Sequence, residues 1–261
     1  MSGALITVAK LALVAASVLF SSLVARRFGP AAGGLLAGLP MIAGPIMGFV
    51  LASTPVEGVR DIALATLVCL PATVAHLVVF AWSATRWPWW ISLALANVAF
   101  FGLGALLPLA ALPPAVVCVL ALAVLAIGRP LMPRLPVRHG AVDIPNIELA
   151  CRVAAAMLVA WLIIRSAGVA PAAFSGLLLA VPITGNVLPC FTLPRYGAAA
   201  TVALLRGFVR GLSGFGAFFV TLTLGLGHAP AWAVYAAAWV AALVVAVSLY
   251  GLSQRRLARA A

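Results

Sequence analysis

Acidic residues are almost missing from this chain of 261 residues. Only Glu57, Asp61, Asp143 and Glu148 carry a carboxylate, and charged residues of both signs amount to 8% of the sequence. An ordinary soluble domain contains roughly a quarter of charged residues, whereas 66% of this chain is hydrophobic. The composition excludes an ordinary soluble domain. It predicts an all-α integral membrane protein whose main partner is the lipid bilayer.

Recognisable sets of catalytic or metal-ligating residues are also missing from the sequence. The four cysteines have no metal-ligand spacing and lie mostly in apolar runs, so we interpret them as reduced packing residues. There is no Ser/His/Asp set, and the glycine-rich stretch at 211–216 is typical of helix contacts rather than of a phosphate-binding loop. We therefore expect no enzyme, no catalytic residue, no bound metal and no cofactor.

Lysine occurs only once, at Lys10, and the other 15 basic residues are arginines. A net charge of +12 would suggest a nucleic-acid partner in a soluble protein. In a membrane protein, however, basic residues collect in the cytoplasmic loops. We therefore expect no nucleic-acid partner and use the arginines to orient the chain.

Nine apolar stretches approach the length of about 20 residues that a membrane helix needs. If the N-terminus lies outside, eleven Arg and Lys residues fall in inner loops and three in outer loops, which fits the positive-inside rule. The sequence thus predicts nine helices with the C-terminus in the cytoplasm. They lie near residues 5–25, 31–52, 62–83, 88–107, 112–128, 148–167, 171–192, 207–227 and 230–251.

One segment of the chain occurs twice. PAAGGLLAGLP at 30–40 returns as PAAFSGLLLAVP at 171–182, with seven of eleven positions identical when Phe174 is treated as an insertion. Five spans separate the two copies, and an odd number reverses the direction of the chain. We therefore predict an inverted repeat in which residues 1–110 and 147–261 form related halves of a single membrane domain, joined by a connector helix and basic loop at 111–146.

Proline interrupts both copies near the predicted middle of the membrane, at Pro40 and Pro182. Each proline frees a backbone carbonyl, and exposed half-helix ends of this kind can hold ions or polar solutes. The alternative is that these prolines and the nearby glycines are kinks and close-packing points. The candidate solute-binding residues at the two breaks are Pro40, Gly44, Pro45, Pro182, Thr184, Gly185 and Asn186. We rank Asn186 first, because it places a side-chain amide where the first copy has a glycine.

His76, Arg206 and Arg210 are further candidates for solute binding. His76 lies deep in the third predicted helix, where a polar side chain commonly bonds to a neighbouring helix instead. Arg206 and Arg210 share a helical face, and a helix beginning at Gly197 would place both in the membrane as an anion site. Because 211–229 is already long enough to span, 196–210 can instead form an amphipathic helix at the cytoplasmic surface, and we favour this reading.

Aromatic residues cluster near predicted helix ends. Tryptophan and tyrosine are enriched where a membrane protein crosses the lipid headgroups. We therefore interpret Trp232 and Tyr235 as anchors at one membrane surface, and Trp87, Trp89 and Trp90 as anchors at the other.

RRFGP at 26–30, with GLLAGLP at 34–40 and the pair Gly44-Pro45, resembles uncharacterised multi-pass inner-membrane proteins of bacteria, including those called GlpM-like. The same stretch is distantly similar to the entry into helix two of inverted-repeat cation/proton antiporters. The resemblance implies a bacterial inner-membrane location. The membrane carboxylates of the antiporters are missing here, so the resemblance transfers none of their ion-site residues to this chain.

The sequence favours a carrier of a small polar or anionic solute, with its site between the two breaks. Proton- and sodium-coupled carriers usually expose a carboxylate at mid-membrane, and none of the four acids falls clearly within a predicted span. Coupling through a carboxylate is therefore disfavoured. The alternative is a non-transporting structural or assembly protein of the membrane. The sequence leaves a homo-oligomer open and does not identify the solute.

Overall fold

The computed structural model describes residues 30–136, 145–166 and 171–258, together with a few residues between 7 and 19. The regular secondary structure of these residues is helical and includes no strand, which confirms the all-α prediction. One short 3-10 helix, Leu107–Ala110, follows the fourth of the α-helices in the described ranges beyond residue 29. Those helices are α1 Pro30–Ala37, α2 Ala43–Leu51, α3 Val56–Ser83, α4 Trp89–Leu106, α5 Pro114–Gly128, α6 Asn146–Ser166, α7 Ala172–Ala180, α8 Ile183–Gly225 and α9 Ala231–Ala258.

Proline marks where several of these helices begin. Pro55, Pro88, Pro113 and Pro171 each immediately precede the first residue of a helix. At this position proline loses no helical hydrogen bond, and its fixed φ angle suits the start of a helix. The predicted helices over 88–107, 112–128 and 148–167 accordingly match α4, α5 and α6 within two residues at each end. The predicted helix over 5–25 and the arginines at 26 and 27 lie largely outside the described residues.

Within the described residues, four helical stretches are long and apolar enough to cross a membrane. Two of them, in α4 and α9, have little of their apolar surface buried within the chain. Val98 on α4 is 72% exposed and Val247 on α9 is 69% exposed. Aliphatic surfaces of this kind are suited to lipid contact rather than to water. The fold is therefore compatible with an integral membrane protein. The four stretches are Val56–Ser83, Trp89–Ala110, Ala172–Gly225 and Ala231–Leu249.

Helix α8 lies at the centre of the packing and makes its most extensive contacts with α1 and α9. Helix α1 approaches it through glycine. A β-carbon added at Gly34 would overlap the carbonyl oxygen of Leu204, and one added at Gly38 would lie 2.8 Å from the α-carbon of Gly211. Such contacts let two helix backbones meet closely, as is common in membrane proteins. Because the contacts advance together along the chain, α1 and this part of α8 run parallel.

Helix α7 packs on α3 in a corresponding way. A β-carbon added at Gly176 would lie 2.7 Å from the backbone nitrogen of Thr66. Further along, the hydroxyl of Thr73 on α3 bonds the carbonyl of Ala180 at the end of α7. These two helices therefore also run parallel. Gly34 and Gly176 occupy the same position in the duplicated segment, so the two copies use the same glycine to approach a neighbouring helix.

The interpretation of 196–210 as a separate surface helix is wrong for the fold. Gly197 has a φ of 76° and interrupts the helical backbone, but the helix resumes after it and continues to Gly225. Val202, Leu204 and Val209, which lie in the favoured surface segment, are each 1% exposed. Their burial against α1 and the rest of the core makes residues 198–225 one continuous packed helix.

Candidate functional site

Two helix breaks lie at the predicted prolines. Helix α1 ends at Ala37 and α2 begins at Ala43, and α7 ends at Ala180 and α8 begins at Ile183. Both breaks border one cavity of about 60 Å³, which is lined by residues 36–39, 41–43 and 46 on one side and by 178–184 on the other. Side chains of α3 and α8 complete the lining. A water molecule needs about 10–15 Å³ measured in this way, so the cavity has room for a few waters.

The two breaks have the same backbone hydrogen bonds. The amide of Met41 donates to the carbonyl of Leu39 at 2.7 Å, and the amide of Ile183 donates to that of Val181 at 2.8 Å. Each bond spans two residues and encloses a proline, as in an inverse γ-turn. Pro182 has the φ of −76° and ψ of 72° that this turn requires.

The helix after each break begins with another equivalent bond. The amide of Gly44 donates to the carbonyl of Pro40, and the amide of Asn186 donates to that of Pro182, both at 2.7 Å. Gly44 and Asn186 are the residues that align four positions after the two prolines. The duplicated sequence therefore forms the same local structure twice.

Two threonines bond the carbonyls at which the half-helices end. The hydroxyl of Thr184 donates to the carbonyl oxygen of Ala37 at 3.3 Å, which joins the second break to the first. The hydroxyl of Thr73 donates to the carbonyl oxygen of Ala180 at 2.8 Å. A break in a membrane helix leaves such carbonyls without their helical partners, and a neighbouring hydroxyl can supply one. Both threonine oxygens keep lone pairs that can accept a hydrogen bond.

The electrostatic character of this cavity comes from the backbone and these hydroxyls. Of the described residues that line it, none is charged, and Thr73 and Thr184 are the two with polar side chains. The carboxyl ends of α1 and α7 border it, as do the amino ends of α2 and α8. Helix ends carry partial charges, negative at the carboxyl end and positive at the amino end. The cavity thus offers both acceptors and donors to a small polar molecule.

None of the predicted residues of the first break, Pro40, Gly44 and Pro45, lines the cavity itself. Pro40 is buried between lining residues Leu39 and Met41. Gly44 faces α9, because a β-carbon added there would overlap the ring of Trp239. Pro45, the next residue, is half-buried and does not line the cavity.

In the second break, Pro182 and Thr184 line the cavity whereas Gly185 and Asn186 do not. A β-carbon added at Gly185 would lie 3.0 Å from the side chain of Leu77 on α3. Asn186 is half-buried, and its side-chain oxygen has no hydrogen-bond partner among the described residues. The residue ranked first from sequence therefore lies beside the cavity rather than in its wall.

His76 lies behind the second break, on α3. Its side chain is completely buried, and its ring is within 6.4 Å, centre to centre, of both Phe80 and Phe100. Backbone groups of Ala96 and Gly185 are its polar neighbours, but neither ring nitrogen makes a hydrogen bond of good geometry within the described part of the chain. The structure places His76 in the packing between α4 and α8 and not in the cavity wall.

Arg206 and Arg210 line a different cavity, of about 240 Å³, together with Arg129 and Arg134. Both lie on α8, which contributes Phe208 and other apolar side chains to the cavity at the breaks. Residues two apart on a helix point about 200° apart. The two arginines therefore face away from the breaks and do not combine with Thr184 in one site.

Tyr235 has a role that sequence analysis missed. It is half-buried, and its hydroxyl donates to the carbonyl oxygen of Gly44 at 3.0 Å. It also lies over Gly48, one helical turn further along α2. The interpretation of Tyr235 as an interfacial anchor alone is therefore incomplete, since its hydroxyl holds α2 against α9. Trp232 is 56% exposed, in line with its predicted position at a surface.

Thr73 was also missed as a candidate, since a threonine in an apolar helix usually bonds its own backbone.

Glu148 differs from expectation in its burial. It lies in the first turn of α6, as predicted, but its side chain is 3% exposed. Glu57 and Asp61 are exposed at the start of α3.

We expect Tyr235→Phe to lower the free energy of unfolding by about 0.6 kcal/mol, the mean value for hydrogen bonds between membrane helices. The phenol ring and its packing on Gly48 are retained, so the change isolates the hydroxyl. Thermal unfolding in detergent measures the effect. Thr221→Val is the control, because among the described residues the Thr221 hydroxyl bonds Ala217 of its own helix. Equal stability of Tyr235→Phe and the parent protein would show that the bond to Gly44 contributes nothing.

No protein-family model matches this chain, and neither the curated proteins nor the solved structures include a significant match to it.

Proposed function

We propose that this protein is a carrier of a small polar solute, built from two inverted repeats, with its solute site between the breaks at Pro40 and Pro182. The observation that carries this proposal is the matching pair of proline-centred turns on one cavity. Discontinuous helices in corresponding positions of two halves are characteristic of transport sites.

The contacts around α1 and α7 support the repeat. Gly34 approaches α8 and its counterpart Gly176 approaches α3, and both pairs of helices run parallel. Among the nine helices predicted from the sequence, the first contact joins helix two to helix eight and the second joins helix seven to helix three. In an inverted repeat that relates helices one to four to helices six to nine, helix two corresponds to helix seven and helix three to helix eight. The contact between helices two and eight therefore corresponds to the contact between helices seven and three. The equivalent contacts are therefore those that this arrangement requires.

The lining of the cavity favours an uncharged solute with hydrogen-bond donors. Thr73 and Thr184 each donate their hydroxyl hydrogen to a carbonyl, so their oxygens face a solute as acceptors. Arg206 and Arg210 face away from this cavity, which weakens the anionic alternative. Because about 60 Å³ holds only a few waters, a larger solute requires the half-helices to move apart.

Thermal unfolding of the purified protein with a panel of small polyols, amides and amino acids tests this proposal. A solute that binds the folded protein raises its unfolding temperature by mass action. We expect at least one neutral donor-bearing solute to do so and Thr73→Val and Thr184→Val to abolish most of the shift. Thr192→Val is the matched control, since Thr192 is buried on α8 and bonds Leu188 of its own helix.

Two results would count against the carrier. The first is a panel in which no solute changes the unfolding temperature. The second is a solute shift that survives both threonine substitutions, since the solute would then bind elsewhere. A structural or assembly protein, the alternative function, predicts the first result.

We further propose that the chain has nine membrane helices, with its N-terminus outside and its C-terminus in the cytoplasm of a bacterial inner membrane. Reporter fusions after Arg134 and at the C-terminus test this topology. Both are expected to report the cytoplasm. An external signal at either position would remove the antiparallel relation between the two copies.

A further inference from the structure

Four arginines from three parts of the fold line one cavity. Arg129 follows α5, Arg134 lies in the extended segment after it, and Arg206 and Arg210 lie one turn apart on α8. The cavity has a volume of about 240 Å³, and its remaining lining residues are Leu135, Val202, Ala203 and Gly207. No carboxylate lines this cavity in the part of the chain that the structure describes.

The preference of arginine for cytoplasmic loops does not account for this convergence. That preference places basic residues on one side of the membrane, but it does not bring them to one cavity. Arg206 is held in place, because one of its terminal nitrogens donates to the carbonyl oxygens of Met132 and Pro133 at 3.2 and 3.3 Å. Arg206 lies within electrostatic range of Arg129 and Arg134, and Arg210 lies within range of Arg206.

An anion in the cavity would offset the repulsion among the charges of Arg134, Arg206 and Arg210. The repulsion is strongest where side chains are partly removed from water, and Arg206 and Arg210 are both half-buried. Ala203 and Gly207 lie on the same face of α8 as the two arginines, and their small size leaves room for a ligand. Arginine forms paired, charge-assisted hydrogen bonds with phosphate oxygens.

We propose that this four-arginine cavity binds a phosphate group. The site is separate from the cavity at the helix breaks, because it lies on the opposite side of α8, and it does not depend on the carrier function. On the topology predicted from the sequence it faces the cytoplasm. Two sources of phosphate reach such a position, the headgroup of an anionic phospholipid and a soluble phosphate in the cytoplasm.

The test measures thermal unfolding of the detergent-purified chain with added phosphatidylglycerol, phosphatidylcholine or inorganic phosphate. Phosphatidylcholine carries the same phosphodiester without net negative charge, so it controls for general lipid effects. The variant is Arg134→Gln combined with Arg210→Gln, which removes two charges and keeps the hydrogen bonds of Arg206. The control is Arg86→Gln combined with Arg195→Gln, which removes two charges from exposed positions outside the cavity.

We expect either phosphatidylglycerol or inorganic phosphate to stabilise the parent protein and the control variant. In the cavity variant the concentration giving half of the stabilisation rises about tenfold or more, since two charge-assisted contacts are lost. Stabilisation by phosphatidylglycerol alone identifies a lipid headgroup, and stabilisation by inorganic phosphate identifies a soluble ligand. High salt weakens either effect.

Absence of stabilisation by both ligands would overturn the proposal. So would an equal loss of affinity in the cavity and control variants, because the effect would then follow net charge alone. If the double variant does not fold, the single variant Arg134→Gln decides, since Arg134 is exposed and not needed for packing. The concentration of phosphatidylglycerol or phosphate that gives half of the stabilisation must still be higher for Arg134→Gln than for Arg86→Gln.

Discussion

Replacing either Gly34 or Gly176 by leucine is expected to lower the free energy of unfolding by about 3 kcal/mol, the upper part of the range for overpacked interiors. At both positions an added β-carbon meets the backbone of a neighbouring helix: at Gly34 it lies 2.9 Å from the nitrogen of Phe208, and at Gly176 it lies 2.6 Å from the carbonyl carbon of Ala65. A backbone cannot rotate away as a side chain can. The helices must therefore separate, and their close packing is lost.

Thermal unfolding in detergent measures this loss, and Gly102→Leu is the matched control. Gly102 lies within α4, and nothing lies within 4 Å of a β-carbon added there. Its replacement should leave stability unchanged or raise it slightly, because glycine is a poor helix former. The account of the two copies requires Gly34→Leu and Gly176→Leu to destabilise by similar amounts. If either variant matched Gly102→Leu, the corresponding helix contact would not exist.

Trp239→Ala is expected to destabilise the chain by about 3 kcal/mol, the usual cost of truncating a packed tryptophan. The ring of Trp239 fills the space over Gly44 and packs edge to face on Phe218, with ring centres 5.5 Å apart. Through this contact α9 holds α2, the helix that follows the first break. Gly44→Leu alone should cost about 2 kcal/mol, because the new side chain overlaps the indole.

The double variant, Trp239→Ala with Gly44→Leu, separates packing from other effects. The new leucine occupies part of the space that the indole leaves. The free energy of unfolding that the double variant loses should therefore be about 2 kcal/mol smaller than the sum of the losses in the two single variants. Unfolding temperatures of the parent and the three variants complete the cycle. Additive losses would mean that the two positions do not touch.

Several helix ends could be predicted from local chemistry, although the helix predicted over 62–83 begins at Val56 and the one predicted over 230–251 continues to Ala258. Pro88 and Pro113 begin helices wherever the flanking sequence is apolar, since proline has no amide hydrogen to lose. Pro40 and Pro182 lie in the middle of apolar runs and interrupt a helix there, whereas Pro71 and Pro189 lie within continuous helices. The repetition of the segment, rather than proline alone, indicated these two breaks. The helix boundaries from 88 to 167 and the positions of both breaks therefore followed from the sequence.

Features that depend on packing between distant segments could not be predicted. Thr73 and Thr184 meet carbonyls at Ala180 and Ala37, 107 and 147 residues away. Nothing near Thr73 in sequence distinguishes it from a threonine that bonds its own helix. From the sequence, the side-chain amide of Asn186 was a stronger candidate for solute binding than the hydroxyl of Thr73 or Thr184. In the structure Thr184 lies in the cavity wall and Asn186 does not.

The packing of residues 196–210 into the core was not predicted, for a related reason. Two arginines four residues apart resemble the polar face of a surface helix. Burial of the other face against α1 depends on Gly34 and Gly38, which lie more than 160 residues away in sequence. The duplicated segment contained the necessary glycine, but its partner helix could be identified only in the folded chain.

The central claim is that the two breaks enclose a water-accessible cavity within the membrane. Reactivity of Thr184→Cys with a small, charged, water-soluble thiosulfonate tests it most directly, in membranes and in a background whose four native cysteines are replaced by alanine. Leu67→Cys is the dry control, since Leu67 is 1% exposed in the core of α3, and Arg134→Cys is the exposed one.

We predict that Thr184→Cys reacts far faster than Leu67→Cys, and that a stabilising solute slows the reaction. If Thr184→Cys is as unreactive as Leu67→Cys while Arg134→Cys reacts fully, the breaks are packed dry and the account is contradicted.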